Sequence, residues 1–547
     1  MVTELSFGAR YVSYNNVDCF LNDAAADNIG LIVWPGGTLA ETRSDRYGFE
    51  FEELYNPSTN KPGLSEMIEV ANALDAGLSI VLPTARYVQN LEMLRADLQD
   101  FLSDLLGGSF GTLPQPFIIE IGSEYYGNFV GASKASDYGG VADLVITEIA
   151  QALGDASINT KGDSVSIAVQ AGKTMADDIA IRDELSNEAL AAVDMIVHHR
   201  FAYQPQGIDR RIGELEDIAE AWAADATGAG GQDPELFVSA WNTVTITRNG
   251  VLTDFIAEQV DQGNLIKPTD IDLEGRTSTD FEKFWQDRLD EAAYGQEHAA
   301  YMLESFASYA EAGMVAGAAY GIDTIHPGHL SWREGGESFA FSGGEMLKMI
   351  YESVGGTHVL EPGSAYDTRA PATVYGFENA DKLVVFVAAG ETAPGEMTLE
   401  LEGLTSDYLR LRAERLTSKT PEDWMEKFGI VDNPYVDESP EADAYAVGHR
   451  EPVDVDVTKN GVTFSLEGSH DIVRLAFAKT IDGENDIAEW SIVAPVELAE
   501  LSQVLVADRP ASNDEIADID EDLVGLMTGA AGASGIGAFL AMLFFFL

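Results

Sequence analysis

Two carboxylates share the stretch FIIEIGSEYYGNF, residues 117 to 129: Glu120 lies inside an apolar run, and Glu124 follows a glycine among aromatic residues. A carboxylic acid beside aromatic rings suits a sugar site, because pyranose faces stack on rings while the acid protonates the glycosidic oxygen. That reaction needs a second carboxylate as nucleophile or water-placing base. On an extended strand, at ~3.3 Å per residue, Glu120 would lie ~13 Å below Glu124, so it reads as structural. The candidate partners are Glu41 in WPGGTLAE and Asp323 in YGIDTIHPGHLSW. Trp34, Arg86, Ser123, Tyr125, His198, His199, Tyr203, Trp241, Asn242, Tyr320 and Trp332 are the expected substrate contacts. His198 and His199 are adjacent, so on a strand at most one of them faces the site. With no third ligand at suitable spacing, neither a metal nor a cofactor is expected.

These residues must be positioned by something, and the hydrophobic period says what. Short β-branched runs recur at 6 to 11, 29 to 34, 78 to 83, 116 to 122, 165 to 171, 193 to 199, 236 to 241 and 314 to 320. Stretches such as LSEMIEVANALDAG and LEMLRADLQDFLSDLL, with apolar residues at helical spacing, separate several of them. Eight β/α units predict a TIM barrel over residues 1 to 355, and the candidate residues fall at the C-terminal ends of its strands, where such barrels do their chemistry. Beyond 355 the strands follow one another without helices, predicting a β-sandwich over 356 to 480. Residues 481 to 522 read as an acidic linker.

The 547 residues carry 92 acidic against 32 basic side chains, a formal charge of -60. Such a field repels phosphates, which argues against a nucleic-acid partner. The single cysteine, Cys19, forms no internal disulfide and is given no chemistry. The N-terminus shows no cleavable signal. The last 25 residues, 523 to 547, are uncharged and long enough to cross a bilayer as a helix. Following an acidic segment, they loosely resemble an uncleaved C-terminal secretion signal, with a membrane anchor as the alternative. An extracellular protein exported without a signal peptide is expected, the rivals being membrane anchoring through 523 to 547 or the cytoplasm of a halophile.

In its strand order and rim motifs the chain resembles the clan A glycoside hydrolases, particularly the xylosidase, arabinofuranosidase and heparanase-like families, over roughly residues 5 to 480. Pro35, Gly36 and Gly37 match the strand-two motif, Glu120 and Glu124 the strand-four glutamates, His198 or His199 with Tyr203 the strand-six pair, and Trp241 with Asn242 the strand-seven ending. The resemblance implies that Glu124 is the general acid/base. It also exposes three departures: the nucleophile's position holds Ala240, the supporting arginine's position Val33, and the asparagine before the acid Ser123. An alanine cannot attack an anomeric carbon, so double displacement through strand seven is closed. Two expectations follow. One is a glycoside hydrolase acting on an extracellular polysaccharide or oligosaccharide with Glu124 and a non-standard second carboxylate, Glu41 or Asp323. The other is an inactive glycan-binding or structural protein on the same scaffold. The acidic surface favours a neutral glycan.

Overall fold

A computed structural model describes residues 6–10, 29–35, 41, 63–126, 134–203, 205–244, 248–268, 295–321, 330–334, 337–360, 370–392, 395–400, 408–419, 447–458 and 461–490, with a few positions between 271 and 288. Eight parallel strands close into a barrel in sequence order: β1 (Ser6–Arg10), β2 (Leu31–Trp34), β3 (Gly77–Leu82), β4 (Phe117–Ile121), β5 (Ser166–Gln170), β6 (Met195–Tyr203), β7 (Glu235–Val244) and β8 (Met314–Ala319). The pairing of β1 with β8 completes the ring.

Alternate residues of β2 to β5 serve two cores, which is why these strands read as continuous apolar runs. Leu31, Val33, Val81, Ile118, Ala168, Val197 and Phe237 fill the barrel interior. Ile32, Trp34, Ile80, Ile119, Ile121 and Val169 face outward into a layer with the helices. The helix Leu91–Gly107 shows how that layer forms: Leu94, Leu98, Phe101, Leu102 and Leu105 make one buried stripe. Asn90 Oδ1 caps its start by accepting from the Met93 amide at 3.1 Å, and Gly108, at φ +83°, ends it in the left-handed conformation.

After β8 come a hairpin, β9 (Ser331–Glu334) with β10 (Glu337–Ala340), and the helix Ser342–Val354. Nine more strands follow: β11 (His358–Val359), β12 (Ala372–Glu378), β13 (Lys382–Ala389), β14 (Gly395–Glu400), β15 (Arg410–Lys419), β16 (Val447–Pro452), β17 (Asp456–Thr458), β18 (Gly461–Leu466) and β19 (Ile472–Ala478). They form a six-stranded sheet, β11-β12-β13-β19-β15-β16, facing a three-stranded one, β14-β18-β17. Val385, Val387, Phe464, Leu466, Val473 and Leu475 fill the space between the sheets. The other face of the larger sheet, with Val384, Phe386, Ile472 and Ala476, shares a core with Phe306, Met346 and Ile350 of the barrel's helices. Buried charge also crosses that contact: Arg474 of β19 binds Glu352, Glu414 and Ser353.

The acidic linker expected from residue 481 is corrected at its start, where Ile481–Glu489 is a helix. Its acidic composition conceals the pattern, while Ile487 and Trp490 are buried and Asp486 accepts from Lys382 Nζ at 2.6 Å. The Thr480 hydroxyl caps it by accepting from Gly483 N at 3.2 Å, and Arg412 donates to the Ile487 carbonyl at 3.0 Å. Residues 491–547, including the rest of that segment and the apolar tail, lie outside the described residues. Among the described residues no helix is long and apolar enough to cross a membrane.

Candidate active site

The rim is built where β4 stops being a strand. Gly122 takes φ +75°, and a Cβ there would stand 2.7 Å from Thr84 Oγ1. Two residues later Glu124 itself adopts φ +48°, a conformation that costs a non-glycine residue ~1 kcal/mol and persists only where the surroundings impose it. The chain thus folds back over the barrel mouth. Gly122→Ala should destabilise the protein by about 1–3 kcal/mol, from strain and overlap together. Urea unfolding beside the wild type would measure it, and an unchanged midpoint would show that the turn relaxes freely.

This fold-back revises the straight-strand distance. His199 Nδ1 lies 3.0 Å from Glu124 Oε1, and His199 Nε2 lies 3.3 Å from Glu120 Oε1. One imidazole therefore touches both glutamates, which extended geometry would place ~13 Å apart. Gln170, at the end of β5, donates from Nε2 to Glu120 Oε1 at 2.9 Å and sits 3.3 Å from His199 Nε2. All four side chains are buried. Sequence reasoning passed over Gln170, although a polar residue at the C-terminal end of a barrel strand is a signal of the kind used at the other strands. Tyr138, also missed, supports the network from behind. Its hydroxyl donates to the Ile121 carbonyl at 2.6 Å and accepts from Gln170 N at 2.9 Å.

His199 is two residues on from Val197, which lines the interior, and its register partner on β7 is Ala240. The alternate position, His198, is buried as well. Val33 belongs to the apolar interior. The two positions where the resemblance would place a nucleophile and its arginine are thus small or apolar wall.

Glu41 is a tie between loops. Its carboxylate accepts from Thr84 N at 3.0 and 2.9 Å, Thr84 Oγ1 at 2.7 Å, Ala85 N at 2.9 Å and Ser123 N at 3.2 Å. Burial pushes this carboxyl above its ordinary value, and those hydrogen bonds pull it back. Four donors from the ends of β3 and β4 occupy both oxygens, so Glu41 fixes the Ser123 backbone next to Glu124. Thr84 is the partner that the sequence did not reveal.

The expected substrate contacts separate. Tyr125 is buried, stacked on Tyr138 with ring centroids 4.8 Å apart, and its hydroxyl accepts from Lys173 N at 3.3 Å. Arg86 donates to Tyr87 Oη at 2.7 Å and lies 3.9 Å from Asp97. Trp34 and Trp241 both belong to the outer layer, Trp241 against Phe306 and Tyr309 of the helix Gln296–Glu311. The Trp241 ring is thereby turned to the helices and not to the rim. Asn242 donates to the Tyr320 carbonyl at 2.5 Å, and its Oδ1 accepts from Thr243 N at 2.6 Å, so its amide clips β7 to the end of β8. Tyr320 is buried too. Tyr203 ends β6 and Trp332 lies on β9, while Asp323, Gly36 and Gly37 fall outside the described residues.

His298 backs this clip from the helix Gln296–Glu311, its Nε2 lying 3.1 Å from the Thr243 carbonyl. Its Nδ1 has no hydrogen-bond partner and abuts Gly343, so a second ring proton would be buried unbonded. Burial accordingly lowers its pKa to about 4. A base whose folded value is depressed contributes stability above its unfolded value of ~6.5 and loses it as pH falls toward the folded one. The advantage of wild type over His298→Gln should shrink by about 2 kcal/mol between pH 7.5 and pH 5. Urea unfolding at the two pH values measures this, and a pH-independent difference would refute it.

A closed (β/α)8 barrel with acids at its C-terminal mouth and an attached β-sandwich is the architecture of clan A glycoside hydrolases, the fold that the motif resemblance implied. Among solved structures, AbfB, a family 51 α-L-arabinofuranosidase from Bifidobacterium longum, superposes with a TM-score of 0.53 at 13% identity, over 87% of this chain and 97% of its own. The α-L-arabinofuranosidase of Thermotoga maritima gives 0.54 at 12% identity, over 87% and 98%. The GH51 arabinofuranosidase of Xanthomonas axonopodis pv. citri gives 0.55 at 11%, over 87% and 97%. At such identities the likeness is one of fold. No family sequence model matches the chain, and no curated protein sequence does.

Proposed function

We propose that this protein is a glycoside hydrolase-like protein acting on an extracellular oligosaccharide or polysaccharide, with Glu124 as the acid that protonates the glycosidic oxygen. The carrying observation is the setting of Glu124 on the β4 rim: His199 holds Oε1 at 3.0 Å, and no other hydrogen bond to Glu124 is made among the described residues. One oxygen is fixed and the other is left to a ligand, as a general acid requires. The sugar-handling fold supports the same reading.

With Ala240 on β7 the reaction proceeds by single displacement and inverts the anomeric carbon. Glu41, whose oxygens are already taken by four donors, is a poor base, so this reading gives the water-placing role to Asp323, which lies outside the described residues. Incubation with neutral polysaccharides tests this by reducing-end release and by NMR of the first-formed anomer. Inverted product supports the mechanism, and retained product excludes it.

The apolar wall at Val33 and Ala240 favours a second reading, in which the same rim grips a glycan without cutting it. Saturable glycan binding with no new reducing ends would establish that reading over the first.

A further inference from the structure

Glu124 does not stand alone, and the groups behind it have a use that the acid role leaves open. Glu120 of β4, Gln170 of β5 and His199 of β6 form an unbroken buried chain from the barrel interior to Glu124. Around the imidazole the titratable neighbours are Glu124 and Glu120, and Gln170 and Ala240 are neutral, with the Tyr138 hydroxyl beyond Gln170 and Glu41 behind the Ser123 backbone. Both ring nitrogens face a carboxylate oxygen. Carboxylates only accept, so two ring protons make both contacts attractive, and the second of these is a proton stored one bond from the acid.

We infer that His199, backed by Glu120, is a positioning residue that holds Glu124 by Oε1 and reloads it with a proton after each cleavage. The inference deepens the proposed hydrolytic reading and rests on it. In the step, the bond from the anomeric carbon to the leaving oxygen breaks with its electron pair going to that oxygen, which takes the proton from Glu124 Oε2. Water bonds to the anomeric carbon and releases its extra proton to solvent. The Nδ1 proton of His199 then moves to Glu124 Oε1. The ring, now neutral, keeps its Nε2 proton toward Glu120; solvent then protonates Glu124 Oε2 and the Oε1 proton returns to Nδ1, so the next turnover starts with the acid proton on the free oxygen and both protons on the ring. Bonds and protons balance, and no other reagent is needed. Where clan-like β7 chemistry is absent, a second carboxylate still acts on the acid, through an imidazole instead of across the sugar.

The test is His199→Asn, whose amide can still donate to Glu124 but cannot pass on a proton. Two substrates are compared, an alkyl glycoside of the sugar that wild type releases and its 2,4-dinitrophenyl glycoside, whose leaving group departs without protonation. The expected result is a kcat lower by about 10²-fold on the alkyl glycoside, a loss at least tenfold smaller on the dinitrophenyl glycoside, and a similar KM for both. Equal losses on the two substrates would reduce His199 to packing and overturn the inference.

A wild type that cleaves neither glycoside would sink the hydrolytic reading instead. The network is then read directly by proton and nitrogen NMR of the full chain. A slowly exchanging ring N–H signal, assigned by its absence in His199→Asn and perturbed by Glu120→Gln, supports the shared proton; no such signal in wild type refutes it.

Discussion

Glu124→Gln is expected to lower glycan hydrolysis by about 10²–10⁴-fold with little change in glycan affinity, the loss typical of removing a positioned general acid. Glutamine has the same shape and keeps an acceptor oxygen for His199 Nδ1, so the 3.0 Å contact and the turn at Gly122 survive the exchange. What disappears is the transferable proton. An effect confined to kcat, with Kd unchanged by calorimetry, separates loss of chemistry from loss of fit. Unaltered turnover would remove Glu124 from the mechanism. Because Glu41 is committed to Thr84, Ala85 and Ser123, it offers no replacement acid. The variant should therefore retain little activity at any pH.

Arg474→Met should cost about 3–5 kcal/mol of stability, more than any surface substitution. Arg474 is almost completely buried, and burial holds its pKa below the usual arginine value despite the carboxylates around it. It binds Glu352 on the helix Ser342–Val354 and Glu414 on β15, donates to Ser353 Oγ at 2.7 Å, and lies 4.5 Å from the ring centroid of Trp490. Methionine fills similar space but leaves two buried carboxylates with fewer cations. Arg450 still binds Glu352 and Arg412 still binds Glu414, which keeps the cost toward the lower end of the range. Urea unfolding gives the loss, and Trp490 fluorescence reports whether the helix Ile481–Glu489 stays docked. A shift below about 0.5 kcal/mol would mean that the neighbouring arginines compensate fully.

The barrel was legible in the sequence because strands such as β2, β3 and β4 are buried on both faces. Ile118 and Ile119, or Ile32 and Val33, are adjacent yet belong to different cores, so both must be apolar and the run stands out. The helix beginning at Leu91 announced itself for the same reason, through one buried stripe and a capping Asn90. The sandwich strands were readable from their succession. Composition, by contrast, hid the helix at Ile481–Glu489, whose acids outnumber the few apolar residues that anchor it.

By itself, then, the sequence determined the (β/α)8 architecture and the placement of Glu124 after β4, because each depends on residues close in the chain. Only the tertiary structure decided what those residues touch. Positive φ at Gly122 and Glu124 turns the chain back, and a histidine 75 positions on, from β6, then bridges Glu120 of β4 and Glu124 just beyond it. The same long-range closure ties Glu41 to Thr84 and turns Trp241 into the helical layer. Periodicity records how far each position is buried, but the choice of a buried polar group's partner is made across the barrel, where distant strands meet and every donor must find an acceptor.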